Sequence, residues 1–325
     1  MLKLEHLVEN FDLARFALDD YDHDPERLDE SLGWFRISSN AVYPFFGRQG
    51  LNFLRLCPAE EKPLSTVEAE IEFIDYLIGC GFRAMRPIAG HAGRKCREID
   101  TPWGKYCVSA FRGVGGKSME DVELTEAILY AYGKTLGQLH RLSMDFNPAQ
   151  RRSTFENIAG QMQPLLPETL QPVLRDVILQ LNAIPRTREN FGLVHYDFEP
   201  DNVFYDEESG KISVIDFDDC IYHFYALDVE QCLESLKELL SAGGFQKARA
   251  LFLSGYRSEH VLPQEMEEKL ALMRQFIDLR AYARLTHCLD SEPGVRYPWM
   301  DELTERLQKK RDWLKKKLLN GQNYQ

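Results

Sequence analysis

No stretch of the 325-residue sequence approaches the ~18 consecutive apolar residues that a membrane-spanning helix needs, so a helical membrane protein is excluded. The segment from Met1 to Asp24 mixes acidic and apolar residues and lacks a basic stretch leading into an apolar core. It does not read as a secretory signal. Positive charge is in short supply: 39 Lys and Arg against 51 Asp and Glu give a formal net charge of −12. A general nucleic-acid binder usually carries a basic face, and that class is set aside. The seven cysteines (57, 80, 96, 107, 220, 232 and 288) are scattered, odd in number and without a C-x-x-C pair. They read as reduced thiols of a cytoplasmic protein, not as a disulfide framework. Cys220-x-x-His223 and His287-Cys288 have no second pair at zinc-like spacing and are expected to be packing residues. Internal repeats and low-complexity tracts are absent too.

What is present is a chain with 44% hydrophobic residues, enough to bury a substantial core as one bilobal unit or two domains. Strand-like segments concentrate in the first ~110 residues, and the later part is mostly helical in pattern. Trp34–Ile37, Ala41–Phe46 and Leu51–Leu56 predict short strands, with Gly47-Arg48-Gln49-Gly50 as a hairpin turn. Ser65 and Glu68 form a capping-box signature for a helix that ends near Gly79 and Gly81. On that helix Val67, Ile71, Ile74 and Ile78 share one stripe, while Glu68, Glu72 and Asp75 fall opposite. Glu70 projects into the apolar stripe. Periodicity alone leaves two readings open: a carboxylate that meets a buried cation, or a helix-edge side chain reaching water.

Tyr106–Phe111 predicts another strand, followed by a flexible connector, Arg112–Ser118, where a lobe boundary is expected. Gly116-Lys117-Ser118 imitates the end of a P-loop. The leading glycine would be residue 111, which is Phe, and no helix starts at the lysine, so that reading is rejected. Helices are expected at Glu126–Leu142, Val229–Leu240, Lys247–Tyr256, Gln264–Leu289 and Trp299–Leu319. Gly133 and Gly137 on the first of these would permit close approach of a neighbour, and His140 reads as a hydrogen-bonded core residue. The basic run near the end of the last helix suits a solvated C-terminal face.

The chemistry concentrates in the 25 residues from 195 to 219. His195-Tyr196-Asp197-Phe198-Glu199-Pro200-Asp201-Asn202 precede a short hairpin, which ends in Ile215-Asp216-Phe217-Asp218-Asp219. With strands at Val203–Tyr205 and Lys211–Ile215, Asn202 and Asp216 come to the same hairpin edge, and neighbouring strands lie ~4.8 Å apart. One divalent cation with its phosphate oxygens bridges such a span, and Mg²⁺ takes one or two side-chain oxygens plus phosphate and water. Asp197, on the loop feeding the hairpin, is left to orient an acceptor hydroxyl and accept its proton. His195 is read as the brace of that loop. Asp and Asn are also ordinary turn residues, but both halves in order, joined by a hairpin and followed by helices, favour the functional reading.

Through Leu193-Val194-His195-Tyr196-Asp197 to Asn202, Val214-Ile215-Asp216-Phe217-Asp218-Asp219 and Leu227-Asp228, the chain resembles the aminoglycoside phosphotransferase/choline kinase family, which includes homoserine-kinase-like members. Fainter similarity extends over almost the whole chain, through Asn52-Phe53-Leu54-Arg55-Leu56, the Glu70 helix and Leu136-Gly137-Gln138-Leu139-His140. The resemblance implies an α+β, two-lobed protein-kinase-like fold. Residues 1–111 would form a small nucleotide-binding lobe with an antiparallel sheet. Residues 112–325 would form a large, mostly helical lobe with the catalytic loop and acceptor site, and the active site would lie between the lobes.

The resemblance further implies a catalytic Asp197 with His195, metal ligands Asn202 and Asp216, and a phosphate-binding Arg55 paired with Glu70. Adenine would dock around Ala110, Phe111 and Arg112, and Asp228 would hold the catalytic loop. The expected reaction is ATP- and Mg²⁺-dependent phosphoryl transfer to a hydroxyl of a small polar metabolite, with Asp290-Ser291-Glu292 and Trp299–Asp301 as candidate contributors to the acceptor pocket. Three positions depart from the family pattern: Tyr196 where Gly is more usual, Arg55 where Lys is an alternative, and a nucleotide-covering turn, Ser38-Ser39-Asn40, without glycine. A protein Ser/Thr kinase and a non-catalytic scaffold of the same fold stand as alternatives.

Overall fold

The structure, a computed structural model, describes residues 1–321 except 292, 294 and 296. In chain order the N-terminal part runs α1 (Phe11–Leu18), α2 (Leu28–Leu32), β1 (Arg36–Ile37), β2 (Ala41–Gly47), β3 (Gly50–Pro58), α3 (Leu64–Gly79), β4 (Arg86–Ile88), β5 (Cys96–Thr101) and β6 (Gly104–Arg112). Then come β7 (Lys117–Ser118), α4 (Glu126–Ser143), α5 (Phe155–Met162), α6 (Gln171–Ala183), β8 (Phe191–Val194), β9 (Val203–Asp206), β10 (Lys211–Val214) and β11 (Ile221–Phe224). Helices complete the chain: α7 (Ala226–Leu239), α8 (Ala242–Arg257), α9 (Gln264–Glu267), α10 (Leu270–Leu289) and α11 (Pro298–Asn320). Two compact units result. One comprises residues 1–75, 85–113 and 282–313, and the other residues 76–84, 114–281 and 314–325.

The first unit is built on an antiparallel sheet in the order β1-β2-β3-β6-β4, with β5 pairing β6. β4 and β5 share one edge of β6, taking residues 110–112 and 104–109 respectively, while β3 occupies the other edge. Strand alternation sorts the side chains. Tyr43, Phe45, Leu54, Leu56, Val108 and Ala110 pack with Leu13, Ala14, Ala17 and Leu18 of α1. The alternate residues of β3 and β6, among them Cys107, turn to the face that receives Val67 and Ile71 of α3. The β2–β3 hairpin closes at Gly47↔Gly50 as expected, with Gly50 at φ 111°.

In the second unit α4 lies against α8 at close range. A Cβ at Gly133 would collide with the Phe252 carbonyl, one at Gly137 with that of Tyr256, and one at Gly255 with that of Tyr130. The two α4 glycines therefore permit the close approach their spacing suggests. Two small sheets, β10-β9-β7 and β11-β8, carry the loop and hairpin of interest.

Several sequence expectations shift. α3 begins at Leu64, so Ser65 sits inside the first turn instead of capping it. Arg112 belongs to β6, and the connector is partly ordered, because Lys117 and Ser118 pair with Tyr205 and Phe204. The helix expected at Gln264–Leu289 is interrupted: Lys269 N–H reaches Met266 O (3.1 Å) and Leu272 N–H reaches Lys269 O (3.0 Å), i→i−3 bonds that break the α pattern. The helices α1, α2, α5 and α6 were not foreseen. No helix among the described residues is long and apolar enough to cross a membrane.

Candidate functional site

The loop after β8 is organised by a single carboxylate. Asp228, in the first turn of α7 and fully buried, accepts the backbone N–H of His195 through Oδ2 (2.7 Å) and that of Tyr196 through Oδ1 (2.8 Å). His140 of α4 donates its Nε2–H to the same Oδ2 (3.0 Å), and its Nδ1 accepts from the Tyr256 hydroxyl (2.9 Å). The core role read for His140 is thus met, and burial lowers its pKa. Tyr132 donates to Phe198 O (2.6 Å) and stacks on the Phe198 ring, fixing the loop from α4. Gly192 is required just upstream, since a Cβ there would run into the Tyr225 hydroxyl.

Tyr196 has φ 66°. An L side chain in this left-handed region costs about 1–2 kcal/mol, which is why glycine suits the position. Here the conformation is held by the Asp228 bond to its amide and by Arg280, whose guanidinium lies 3.9 Å over the Tyr196 ring. The ring is buried.

His195 joins the two halves of the motif. Its Nε2–H donates to Ile215 O (3.1 Å) and its Nδ1 accepts the Asp197 N–H (3.2 Å), an arrangement that requires the neutral ring. Burial, only partly opposed by the Asp228 charge, lowers its pKa to about 4. Asp197 is partly buried, and Asn202 Nδ2 donates to both its carbonyl (3.0 Å) and its Oδ2 (2.8 Å). That leaves Oδ1 as the acceptor atom of the Asn202 amide. The hairpin register, Val203↔Val214 with Ile215 N–H on Asn202 O (3.0 Å), brings Asn202 and Asp216 to one end, as expected. Asp216 itself adopts φ 60°, ψ 64°. The oxygen donors of Asn202 and Asp216 fit a hard divalent cation that keeps phosphate and water ligands. Among the described residues, no group of three or more His, Cys, Asp or Glu forms a self-sufficient metal cluster.

In the first unit Glu70 meets Arg55. Arg55 Nη1 donates to Oε1 (2.8 Å) and Nη2 to Oε2 (2.6 Å), with both side chains almost fully buried. The inward Glu70 therefore has its cation. Nε of Arg55 donates to Ser109 Oγ (3.2 Å), and the guanidinium sits 4.7 Å over the Phe111 ring. Ala110, Phe111 and Arg112 lie in β6 and pair on both edges, with residues 54, 53 and 52 of β3 and 88, 87 and 86 of β4. The turn at residues 38–40 is tied down without glycine. Ser38 N–H bonds Asn40 O (3.0 Å), Lys62 Nζ reaches Asn40 Oδ1 (3.3 Å) and Arg284 Nη2 reaches Ser39 Oγ (2.7 Å). Asp290 and Ser291 follow α10, and Trp299–Asp301 stand in the first turn of α11, with Trp299 exposed and stacked on Tyr297. Glu292 lies outside the described residues.

Three arginines escaped the sequence reading. Arg152 holds the carbonyls of Asp218 and Cys220. Arg280 bonds Asp219 Oδ1 (3.0 Å), and Arg284 bonds Ser39. Their partners are 61 or more residues away in sequence, so no local pattern marks them.

A family model described as "Phosphotransferase enzyme family" matches residues 39–258. An amicoumacin kinase of Bacillus subtilis (strain 168) is 25% identical over 200 residues, 59% of this chain and 59% of the relative. The match thus spans under two thirds of that relative's length. A homoserine kinase of Rhodopseudomonas palustris (strain ATCC BAA-98 / CGA009) is 30% identical over 243 residues, 69% of each chain. Among solved structures, an amicoumacin kinase in complex with AMP-PNP, Ca²⁺ and Ami superposes with a TM-score of 0.77 at 19% identity, covering 94% of both chains. At that identity the likeness establishes the fold, a kinase-like α+β architecture with an antiparallel-sheet region and a helical region.

Proposed function

The chain belongs to the phosphotransferase enzyme family, and on that premise we propose that it is a kinase moving the γ-phosphoryl group of ATP, with Mg²⁺, to a hydroxyl of a small polar metabolite. One observation carries the reading: the Asp197 carboxylate is fixed by Asn202 at 2.8 Å, at the hairpin end that also presents Asp216. In the proposed step the acceptor oxygen bonds to the γ-phosphorus, the bond to the ADP oxygen breaks, and the hydroxyl proton passes to Asp197. A loose transition state asks little basicity of that carboxylate. Neutral His195 holds the Asp197 amide and the Ile215 carbonyl, so base and metal ligands keep their spacing. Asn202 Oδ1 and Asp216 would hold the cation, which when bound neutralises phosphate charge. Arg55, set by Glu70 and Ser109, would meet phosphate oxygens, and the Ala110–Arg112 stretch would border the adenine. The kinase names of the two curated relatives support a small-molecule acceptor. A cytoplasmic setting belongs to the same proposal, supported by seven cysteines that form no disulfide among the described residues.

The test is an ADP-release screen across amino alcohols, hydroxy amino acids, sugars and aminoglycosides, with Mg·ATP thermal shifts measured alongside. Wild-type protein should show a Mg·ATP shift and turn over at least one class. Asp197→Ala should lose turnover while keeping the shift, and Asp216→Ala should lose the Mg²⁺-dependent part of the shift. Full activity in Asp197→Ala, or a wild-type protein that millimolar Mg·ATP leaves unshifted, would overturn the reading, the latter in favour of a scaffold.

A further inference from the structure

The turn at residues 38–40 has no glycine and is held by ties from three separate segments of the first unit. The Leu2 amide donates to Ser38 O (2.8 Å), Arg284 Nη2 to Ser39 Oγ (2.7 Å) and Lys62 Nζ to Asn40 Oδ1 (3.3 Å). Glu61 joins those segments to one another. Its Oε1 accepts from the Lys3 amide (3.0 Å) and from His6 Nδ1–H (3.1 Å), and its Oε2 accepts from His287 Nε2–H (2.7 Å). An ionised carboxylate can only accept, so both rings donate. Each tie has a neighbour on this one side chain: Lys3 follows Leu2, His287 lies three residues beyond Arg284 on α10, and Lys62 follows Glu61 itself. The Glu61 side chain is 8% exposed, and buried Leu2 and Leu4 seat the N-terminal segment beside it.

We propose that Glu61 is a positioning residue for nucleotide binding. It locks the N-terminal segment, the β3–α3 link and the end of α10 into one frame, and the frame sets the turn at 38–40 in the shape that meets the phosphates of ATP. This rests on the phosphotransferase reading, in which that turn covers the nucleotide, and adds a residue to it. A turn with glycines can fit itself to a phosphate through backbone freedom. A Ser-Ser-Asn turn lacks that freedom and has to be shaped in advance. Ordering a loose turn only on binding subtracts its lost entropy from affinity, and ties made beforehand remove that cost. Glu61 acts through the three ties, so its effect is confined to the ligand atoms the turn reaches: the phosphates, not the base.

The decisive measurement compares calorimetric binding of Mg·ATP and of adenosine to the full chain, beside hydrogen exchange without nucleotide. Glu61→Ala should weaken Mg·ATP roughly tenfold and adenosine by less than about twofold, since only preorganisation at the phosphates is lost. Peptides covering residues 1–7 and 36–42 should exchange faster, while those covering β8 to β10 stay unchanged. Glu61→Gln keeps one acceptor oxygen and should restore part of the affinity. Combining Glu61→Ala with Arg284→Met should weaken Mg·ATP by less than the product of the single effects, because both act on the same turn. Melting temperature reports folding. Should Glu61→Ala fail to fold, His287→Ala removes one of the donors and is read in the same way, with Mg·ATP weakened roughly threefold. Equal weakening of Mg·ATP and adenosine in a folded variant, an unchanged Mg·ATP affinity, or single effects that multiply would each overturn the positioning role and leave the kinase reading intact. A wild-type protein that binds no Mg·ATP removes both.

Discussion

Each unit has a carboxylate buried almost completely, Glu70 in the first and Asp228 in the second, and the two are stabilised in opposite ways. Glu70 is met by a full counter-charge, the two-pronged fork of Arg55. Asp228 is met by dipoles: two backbone N–H groups and one neutral imidazole. An ion pair can be replaced as a unit, because removing both partners leaves no charge behind. A carboxylate bonded to backbone amides cannot, because the amides remain whatever the side chain becomes. The first arrangement tunes one arginine, while the second defines the shape of a loop.

The strongest way to break this contrast is Asp228→Ala. It orphans three donors at once, each costing about 1–3 kcal/mol when buried, and the protein should melt far below wild type or fail to fold. A near-normal melting temperature would show that the loop is held elsewhere. Glu70→Ala follows, expected to cost about 3–5 kcal/mol by stranding a buried guanidinium. Here the contrast sharpens, because the double variant Arg55→Met with Glu70→Leu should recover most of that loss in chemical denaturation, though not Mg·ATP binding. A double variant no more stable than Glu70→Ala would refute the account of a replaceable pair.

Acid separates the units next. Burial lowers the pKa of His195 to about 4 and of His223 to about 3, from 6.5 in the unfolded chain. A depressed pKa means that this stability is complete above pH 6.5 and is lost as pH falls, for His195 about 3 kcal/mol by pH 4. In the first unit, burial pushes the Glu61 pKa up, but bonds from His6, His287 and the Lys3 amide outweigh it and bring it down to about 2. That contribution is lost only between pH 4.5 and about 2. Hydrogen exchange at pH 5 should therefore loosen amides around His195 and His223 before those around Glu61, and the reverse order would contradict the assignment. The smallest effect is expected from Ser109→Ala, which leaves Arg55 Nε without its acceptor and the Glu70 fork intact. About 1 kcal/mol of destabilisation is anticipated, read by denaturant midpoint, with a modest rise in the KM for ATP.

The hairpin site was readable in the sequence because its parts are nearly contiguous. Residues 195–202 and 215–219 are joined by two short strands, and period-2 geometry alone returns Asn202 and Asp216 to one end. Glu70 was visible as a violation of helix periodicity, and its partner was supplied by family resemblance. β11 was missed because it pairs with β8, Ile221 with Val194, across an intervening hairpin. α1 and α2 were missed because short helices owe their stability to the sheet they cover. Residues 282–313, expected in the helical lobe, pack within the sheet-bearing unit, a matter of long-range contact that no local pattern encodes.

Local order and residue type by themselves thus determined the chemistry available: a loop carboxylate, an amide and a second carboxylate at a hairpin end, and a family pattern that names their class. Only the tertiary structure decided which partner answers each charge. Arg55 and Arg280 each stand between two apolar residues in sequence, Leu54 and Leu56 in the one case and Leu279 and Ala281 in the other. Packing meets the first with a glutamate fork and the second with Asp219. The physical reason is that burial and hydrogen-bond satisfaction depend on partners brought from 15, 54 and 61 residues away, whereas a motif records only what lies nearby.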